Sequence, residues 1–310
     1  MMKYAIVFPG QGSQSLGMLS DLNDNFSIVK DTFTEASDAL GFDLWALTQE
    51  DQEALNQTQN TQPAMLAAGY ATYKVLTSQS DLSPVCMAGH SLGEYTALVA
   101  SGALGFSDAI KLVRTRAQLM QSAVPAGVGA MAAILGLDDE VVVKVCGDYA
   151  GEGIVQAVNF NSNGQVVIAG NKAAVDATCE AMKAAGAKRA VVLPVSVPSH
   201  CSLMDDAAGE FKHAVDALDF NMGSVDVLHN VDASKAADIN EMKAKLVAQL
   251  HKPVLWTGTV RAMHAMGVEK LIEAGPGKVL AGLTRRIEKS LSANAVLDSA
   301  GVASALEEIK

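Results

Sequence analysis

Apolar and polar positions follow two rhythms along this chain. Short, nearly unbroken apolar runs such as Y-A-I-V-F at 4–8 and V-C-M-A-G at 85–89 have strand length and end at glycine or proline. Longer stretches repeat their apolar residues every three or four positions, which predicts helices near 61–79, 92–101 and 107–122. Strand and helix in alternation predict a parallel sheet covered by helices.

Between Gly127 and Pro194 the rhythm changes. Strand-like G-A-M-A-A-I-L-G-L, a helical 138–149, I-V-Q-A-V-N-F, Q-V-V-I-A-G, a helical 172–186 and R-A-V-V-L-P-V follow in order. That is β-α-β-β-α-β, and Asn163-Gly164 between the middle strands is a hairpin signal. After Pro194 the first rhythm resumes, with helices at 202–218, near 238–250, near 255–266 and at 277–290. Strands are predicted at 225–230, 270–275 and 295–299, and a helix ends the chain.

The fold class expected is therefore α/β. A large α/β-hydrolase-like unit with a parallel sheet, formed by residues 1–126 and 195–310, would carry an inserted ferredoxin-like unit at 127–194. The first and last thirds of the chain would share one sheet.

Composition narrows the function classes. With 310 residues, 49% hydrophobic and 18% charged, the chain can bury a sizeable core. A formal net charge of -11 opposes nucleic acid or anionic membranes as partners through the overall field, so an acidic partner would need a local basic patch. Cys86, Cys146, Cys179 and Cys201 are scattered without a C-x-x-C pair, which suggests neither disulfides nor a metal site and fits the cytoplasm. The apolar run in the opening M-M-K-Y-A-I-V-F-P-G is too short for a signal peptide, and Pro125, Gly127 and Gly129 break the longest uncharged stretch, so no membrane span is expected.

Candidate chemistry centres on A-G-H-S-L-G-E-Y. Gly89-x-Ser91-x-Gly93 between a strand and a helix has the pattern of a nucleophile elbow, a turn too sharp for side chains two residues either side of the serine. The Leu92 N–H, at the start of the following helix, could donate to a developing oxyanion. A serine nucleophile needs a base, and His200 in P-V-S-V-P-S-H-C-S-L-M stands at a loop-to-helix boundary suited to one. His90 should point away from its neighbour Ser91, and His213, His229, His251 and His264 sit in helical or strand-end contexts that suit structural roles.

Two further features concern anions. Arg116 has Leu112, Val113, Leu119 and Met120 three or four residues away, which puts it on the apolar face of its helix. An inward guanidinium needs a carboxylate, either from a structural Asp or Glu or from a substrate. The loop F-P-G-Q-G-S-Q lacks the third glycine of a dinucleotide fingerprint and the Gly-Lys of a Walker loop. It is either a plain turn or a source of a second oxyanion donor, the Gln11 N–H.

V-F-P-G-Q-G-S-Q, N-T-Q-P-A-M, A-G-H-S-L-G-E-Y, Arg116, N-F-N-S-N-G-Q-V-V-I-A-G, V-P-S-H-C-S-L-M, L-H-N-V-D, H-K-P-V-L-W and A-G-P-G-K-V-L occur in that order over nearly the whole chain. In these motifs the chain resembles the malonyl-CoA:acyl carrier protein transacylases of bacterial fatty acid synthesis. The resemblance implies that Ser91 is acylated, His200 is its base, Gln11 and Leu92 supply the oxyanion donors and Arg116 grips the malonyl carboxylate. It also implies that the main-chain carbonyl of Gln249 orients the histidine. Asn163 departs from the pattern, where proline is expected; an Asn-Gly turn still closes the hairpin, so only loop stiffness is put in question.

The activity so implied is ping-pong transfer of malonyl from malonyl-CoA to the phosphopantetheine thiol of acyl carrier protein, by a cytoplasmic monomer needing no metal or cofactor. The rival reading is a serine esterase or thioesterase on the same elbow, which would have no reason to carry an inward Arg116. Selectivity against a methyl branch is left open, because Ser199, just before His200, is small.

Overall fold

The computed structural model describes residues 2–195 and 197–310. Two sheets organise it. The first is parallel throughout, in the order β7-β2-β1-β8-β9, from β1 (Tyr4–Phe8), β2 (Met87–Gly89), β7 (Val227–Leu228), β8 (Lys270–Ala274) and β9 (Ser292–Val296). The second is antiparallel, in the order β4-β5-β3-β6, from β3 (Gly129–Leu135), β4 (Val155–Ser162), β5 (Gln165–Asn171) and β6 (Arg189–Val192).

In the parallel sheet, β1 and β8 are buried at every position, which is why they read as continuous apolar runs rather than alternating ones. One apolar core lies on one face of this sheet, around Phe8, Phe33, Leu66, Tyr95 and Phe211; another lies on the opposite face, around Trp256, Val260 and Leu283. The first and last thirds of the chain do share this sheet, since β8 pairs with β1. Helices Ser27–Leu40 and Leu44–Glu50 pack under the first core, with Phe33 and Trp45 edge to face at 5.0 Å.

Three strands of the parallel sheet differ by two residues or more from the sequence expectation. The strand expected at 85–89 pairs regularly only from Met87. The one expected at 225–230 is reduced to Val227–Leu228, because Asn230 turns out of the ladder and gives its N–H to the Glu94 carboxylate. The strand expected at 295–299 is β9, shifted to Ser292–Val296. It is half-buried at four of its five positions and carries Ser292 and Asn294, which conceal it, while Asp298 caps the terminal helix by accepting from Gly301 N–H.

The second sheet is fastened to the first unit along β4. Val254 N–H donates to Val158 C=O at 2.8 Å, and Phe160 N–H donates to Val254 C=O at 3.0 Å. Asn163 closes the two-residue β4–β5 hairpin with Gly164 at φ 70°. Asn163 also ties the hairpin down: its amide donates to Arg286 C=O at 2.9 Å and accepts from Arg261 at 2.8 Å. The departure from proline thus bears on anchoring as well as on loop stiffness.

The turn after β2 is built by close approach of backbones. A Cβ on Gly89 would lie 1.9 Å from the Gly93 carbonyl group, and one on Gly93 would lie 2.1 Å from Phe8 O. Gly89→Ala is therefore expected to cost at least about 3 kcal/mol or to prevent folding. Gly209, on the exposed side of helix Asp205–Asp216 with nothing within 4 Å of its missing Cβ, is the control; Gly209→Ala should gain roughly 0.5–1 kcal/mol. Urea denaturation of both variants checks the pair, and a mild Gly89→Ala would contradict the close-approach account.

Candidate active site

Ser91 follows the two-step descent from β2 into helix Gly93–Ala100, and its backbone takes φ 51°, a left-handed conformation costly for a residue with a Cβ. The strain is held from both sides. Ser91 N–H donates to Asn230 Oδ1 at 2.7 Å, and Ser91 C=O accepts from Gln249 Nε2 at 3.0 Å. Asn230 Nδ2 also donates to Gly89 C=O at 2.7 Å, bracketing the turn.

His200 is 3% exposed and likewise left-handed, at φ 66°. Its N–H donates to Leu250 C=O at 2.9 Å, and its Nδ1 lies 2.6 Å from Gln249 C=O. A carbonyl can only accept, so Nδ1 carries the hydrogen and Nε2 is left as an acceptor. Nε2 faces Ser91 Oγ at 2.8 Å. Burial first, then the positive charge of Arg116, push the His200 pKa down to about 3, so the ring is neutral across the physiological range.

Arg116, from helix Phe106–Ser122, is 1% exposed. Its guanidinium donates to Gln62 Oε1 at 2.8 Å, Gln249 Oε1 at 2.9 Å and Ser91 Oγ at 3.2 Å, and it stands 5.3 Å from the Tyr95 ring centre. Every one of these partners is uncharged, and Nε has no partner among the described residues. The structural ion pair that the sequence left open is absent there. A buried cation touching a serine hydroxyl at a cleft is suited to an anionic ligand.

The cleft above these residues is about 480 Å³ and is lined from both sheets' units, by Gln11, Leu92 and Met120 on one side and Met131, Asn159 and Leu193 on the other. Among the described residues the N–H groups of Gln11 and Leu92 have no partner, so both are available to a ligand oxygen. The neighbours of Leu92 are already committed: Gly93 N–H goes to His90 C=O and Ser91 N–H to Asn230.

The structure thus brings together Ser91, His200, Arg116, Gln11, Leu92 and Gln249. His90 turns to Asn161, with Nε2 at 2.7 Å from Oδ1, and away from the serine. His229 is buried against Glu94 at 2.7 Å and His251 pairs with Asp205 at 2.5 Å, both outside the cleft. Gln62, Asn230 and Glu94 were given no role by sequence reasoning. Their one signal is that they lie in the motifs N-T-Q-P-A-M, L-H-N-V-D and A-G-H-S-L-G-E-Y, which local spacing does not connect. No cluster of three or more His, Cys, Asp or Glu that could hold a metal occurs among the described residues, and none of their helices is long and apolar enough to cross a membrane.

Comparison with known proteins agrees along the whole length. The Acyl transferase domain family matches residues 5–305. The chain is 53% identical over 308 residues to the malonyl CoA-acyl carrier protein transacylase of Escherichia coli K12, covering 99% of this chain and 100% of that protein. It is 43% identical to that of Bacillus subtilis 168, covering 100% and 98%. Among solved structures, an acyl carrier protein S-malonyltransferase from Vibrio cholerae superposes with a TM-score of 0.95 at 55% identity, covering 99% and 100%. A malonyl-transacylase solved in complex with its type II PKS acyl-carrier protein superposes at 0.97 with 51% identity, covering 99% of each chain.

The buried His200 carries a linkage signature. The folded ring refuses a proton until about pH 3, whereas the unfolded ring takes one at its ordinary value of 6.5. This contribution to stability is therefore whole above the unfolded value and is lost as pH falls below it. Between pH 7 and 5 the wild type should lose about 2 kcal/mol more than His200→Gln. Urea denaturation at the two pH values measures the difference, and equal losses would show that His200 is not held neutral.

Proposed function

Because the chain belongs to the acyl transferase domain family and is an acyltransferase, we propose that it moves malonyl groups from malonyl-CoA to the phosphopantetheine thiol of an acyl carrier protein through a malonyl-serine intermediate. The observation that carries this reading is the buried guanidinium of Arg116, hydrogen-bonded among the described residues only to uncharged groups and within 3.2 Å of the Ser91 hydroxyl. An esterase or thioesterase on the same elbow has no use for it.

In the first half-reaction Ser91 Oγ attacks the thioester carbonyl carbon while its proton passes to His200 Nε2. The Gln11 and Leu92 N–H groups receive the oxyanion, and Arg116 pairs with the malonyl carboxylate. The tetrahedral intermediate collapses by breaking the carbon–sulfur bond, and the proton on His200 leaves with the coenzyme A sulfur. In the second half-reaction the carrier's thiol gives its proton to His200 and attacks the malonyl-serine ester, returning Ser91 Oγ–H. The Gln249 carbonyl on Nδ1 holds the tautomer, so the reactive pair is a dyad with no carboxylate behind the histidine. Neutral at rest through burial and the Arg116 charge, the base has no proton to shed before it takes the one from Ser91, and it passes that proton to the departing sulfur.

Within this reading the two sheets belong to two domains, residues 1–126 with 195–310 and the insert 127–194. The larger is α/β-hydrolase-like in hanging its nucleophile between strand and helix. The smaller is ferredoxin-like in its β-α-β-β-α-β order with β3 and β5 innermost. The setting implied is a cytoplasmic monomer that meets its carrier transiently.

Two measurements test the proposal. Intact-protein mass spectrometry after mixing with malonyl-CoA should show one malonyl adduct on the wild type and none on Ser91→Ala; an adduct on the variant would overturn the assignment. Arg116→Ala leaves the bound carboxylate unpaired and should lower kcat/KM for malonyl-CoA roughly thirty- to several-thousand-fold, with little loss for acetyl-CoA. An unchanged malonyl-to-acetyl ratio would defeat the clamp.

A further inference from the structure

Behind the reactive groups, and outside the cleft, lies a buried carboxylate that the chemistry above does not use. Glu94 is fully buried in the first turn of helix Gly93–Ala100. Oε1 lies 2.7 Å from His229 Nδ1, while Oε2 accepts from Asn230 N–H at 2.9 Å and Gln249 Nε2 at 2.8 Å. Each of the last two residues holds a different part of the apparatus. The Asn230 side chain brackets the turn through Ser91 N–H and Gly89 C=O. Gln249 holds Ser91 C=O with Nε2, the Arg116 guanidinium with Oε1 and the His200 ring with its main-chain carbonyl.

We infer that Glu94 is a positioning residue that aims Ser91, and through Gln249 also Arg116, without touching the substrate. The inference rests on the reading of Ser91 as nucleophile. An amide can turn end for end at little intrinsic cost, and what decides its direction is its surroundings. A carboxylate only accepts, so Gln249 must turn its NH2 toward Glu94 and Ser91 C=O, which leaves its oxygen for Arg116. In the reversed orientation Gln249 would set NH2 against guanidinium and oxygen against two acceptors. Glu94 is also the anion linked to Arg116 through a single intervening amide, so it balances that cation while leaving the cleft side open.

Glu94→Gln keeps the shape but removes the negative charge, and its NH2 must either face the Asn230 or Gln249 N–H donor or force the His229 ring into its other tautomer. The reporter is the rate at which phenylmethylsulfonyl fluoride, small and uncharged, labels Ser91, followed by mass spectrometry and normalised to folded protein. That rate needs no acyl carboxylate, so it is independent of the Arg116 clamp. The expected result is a ten- to hundredfold slower labelling in Glu94→Gln, a similar fall in kcat with malonyl-CoA, and Glu94→Asp in between. Should Glu94→Gln not fold, Asn230→Ala, which leaves Glu94 in place and cuts both bonds to the turn, must show the same slow labelling. Labelling at the wild-type rate in folded Glu94→Gln, or in folded Asn230→Ala, would make Glu94 a fold-stabilising group alone and overturn the inference. A wild type that takes no label at Ser91, or a Ser91→Ala variant labelled equally, would overturn the nucleophile reading and this one with it.

Discussion

A guanidinium held at 1% exposure among uncharged partners is the constraint around which the rest of this molecule is arranged. Burial of a cation without an adjacent anion is costly, and the protein reduces that cost with neutral acceptors. Gln62 and Gln249 supply carbonyl oxygens, Tyr95 supplies a ring face, and Ser91 supplies its hydroxyl. None of these four is charged, and the balancing Glu94 stands one amide away, so the cleft side of Arg116 is left able to take an anion. The same charge acts on His200, where it adds to burial in keeping the ring unprotonated.

The second constraint is geometric. Ser91 and His200 both have left-handed backbones, and a residue with a Cβ stays there only when its surroundings over-determine it. For Ser91 the determinants are two glycines that let backbones approach closely and two amides, Asn230 and Gln249, that grip its N–H and C=O. For His200 they are the consecutive carbonyls of Gln249 and Leu250. Gln249 takes part in both, so the proposed nucleophile, its base and the cation are referred to one side chain and its own peptide group. Such a hub is efficient in residues and sensitive to any change of hydrogen-bond polarity.

The cleft itself exists because the antiparallel sheet is fastened over the parallel one. The β4 edge docks on Val254, and the Asn163 hairpin on Arg261 and Arg286, which together bring Met131, Asn159 and Leu193 opposite Ser91. These attachments are backbone pairings and amide contacts, with a small apolar cluster around Met131, Val158 and Cys201 beside them. The arrangement gives an enclosed but open-mouthed site between two separately built cores.

Much of this was legible in the sequence, and for physical reasons. Strands buried on both faces must be apolar throughout, so β1 and β8 announced themselves, and Gly89-x-Ser91-x-Gly93 announced a turn because close backbone approach admits no other residue. Helical periodicity placed Arg116 inward, since a side chain's face follows from local spacing alone. What that Arg116 faces is different in kind. Whether it met a structural carboxylate or an open cleft depended on residues such as Gln62 and Gln249, far away in the chain, and no local pattern carries that information. Edge strands were misplaced for a related reason: β9 is half-buried and β7 is cut short by Asn230 leaving the ladder for Glu94, so tertiary contacts override their propensity. By itself the sequence determined which segments are buried and where the chain turns sharply, because burial and steric exclusion act on neighbouring residues. Only the tertiary structure decided that Glu94, Asn230 and Gln249 stand beneath Ser91, because a hydrogen bond requires a meeting of groups, and that meeting is made by the fold.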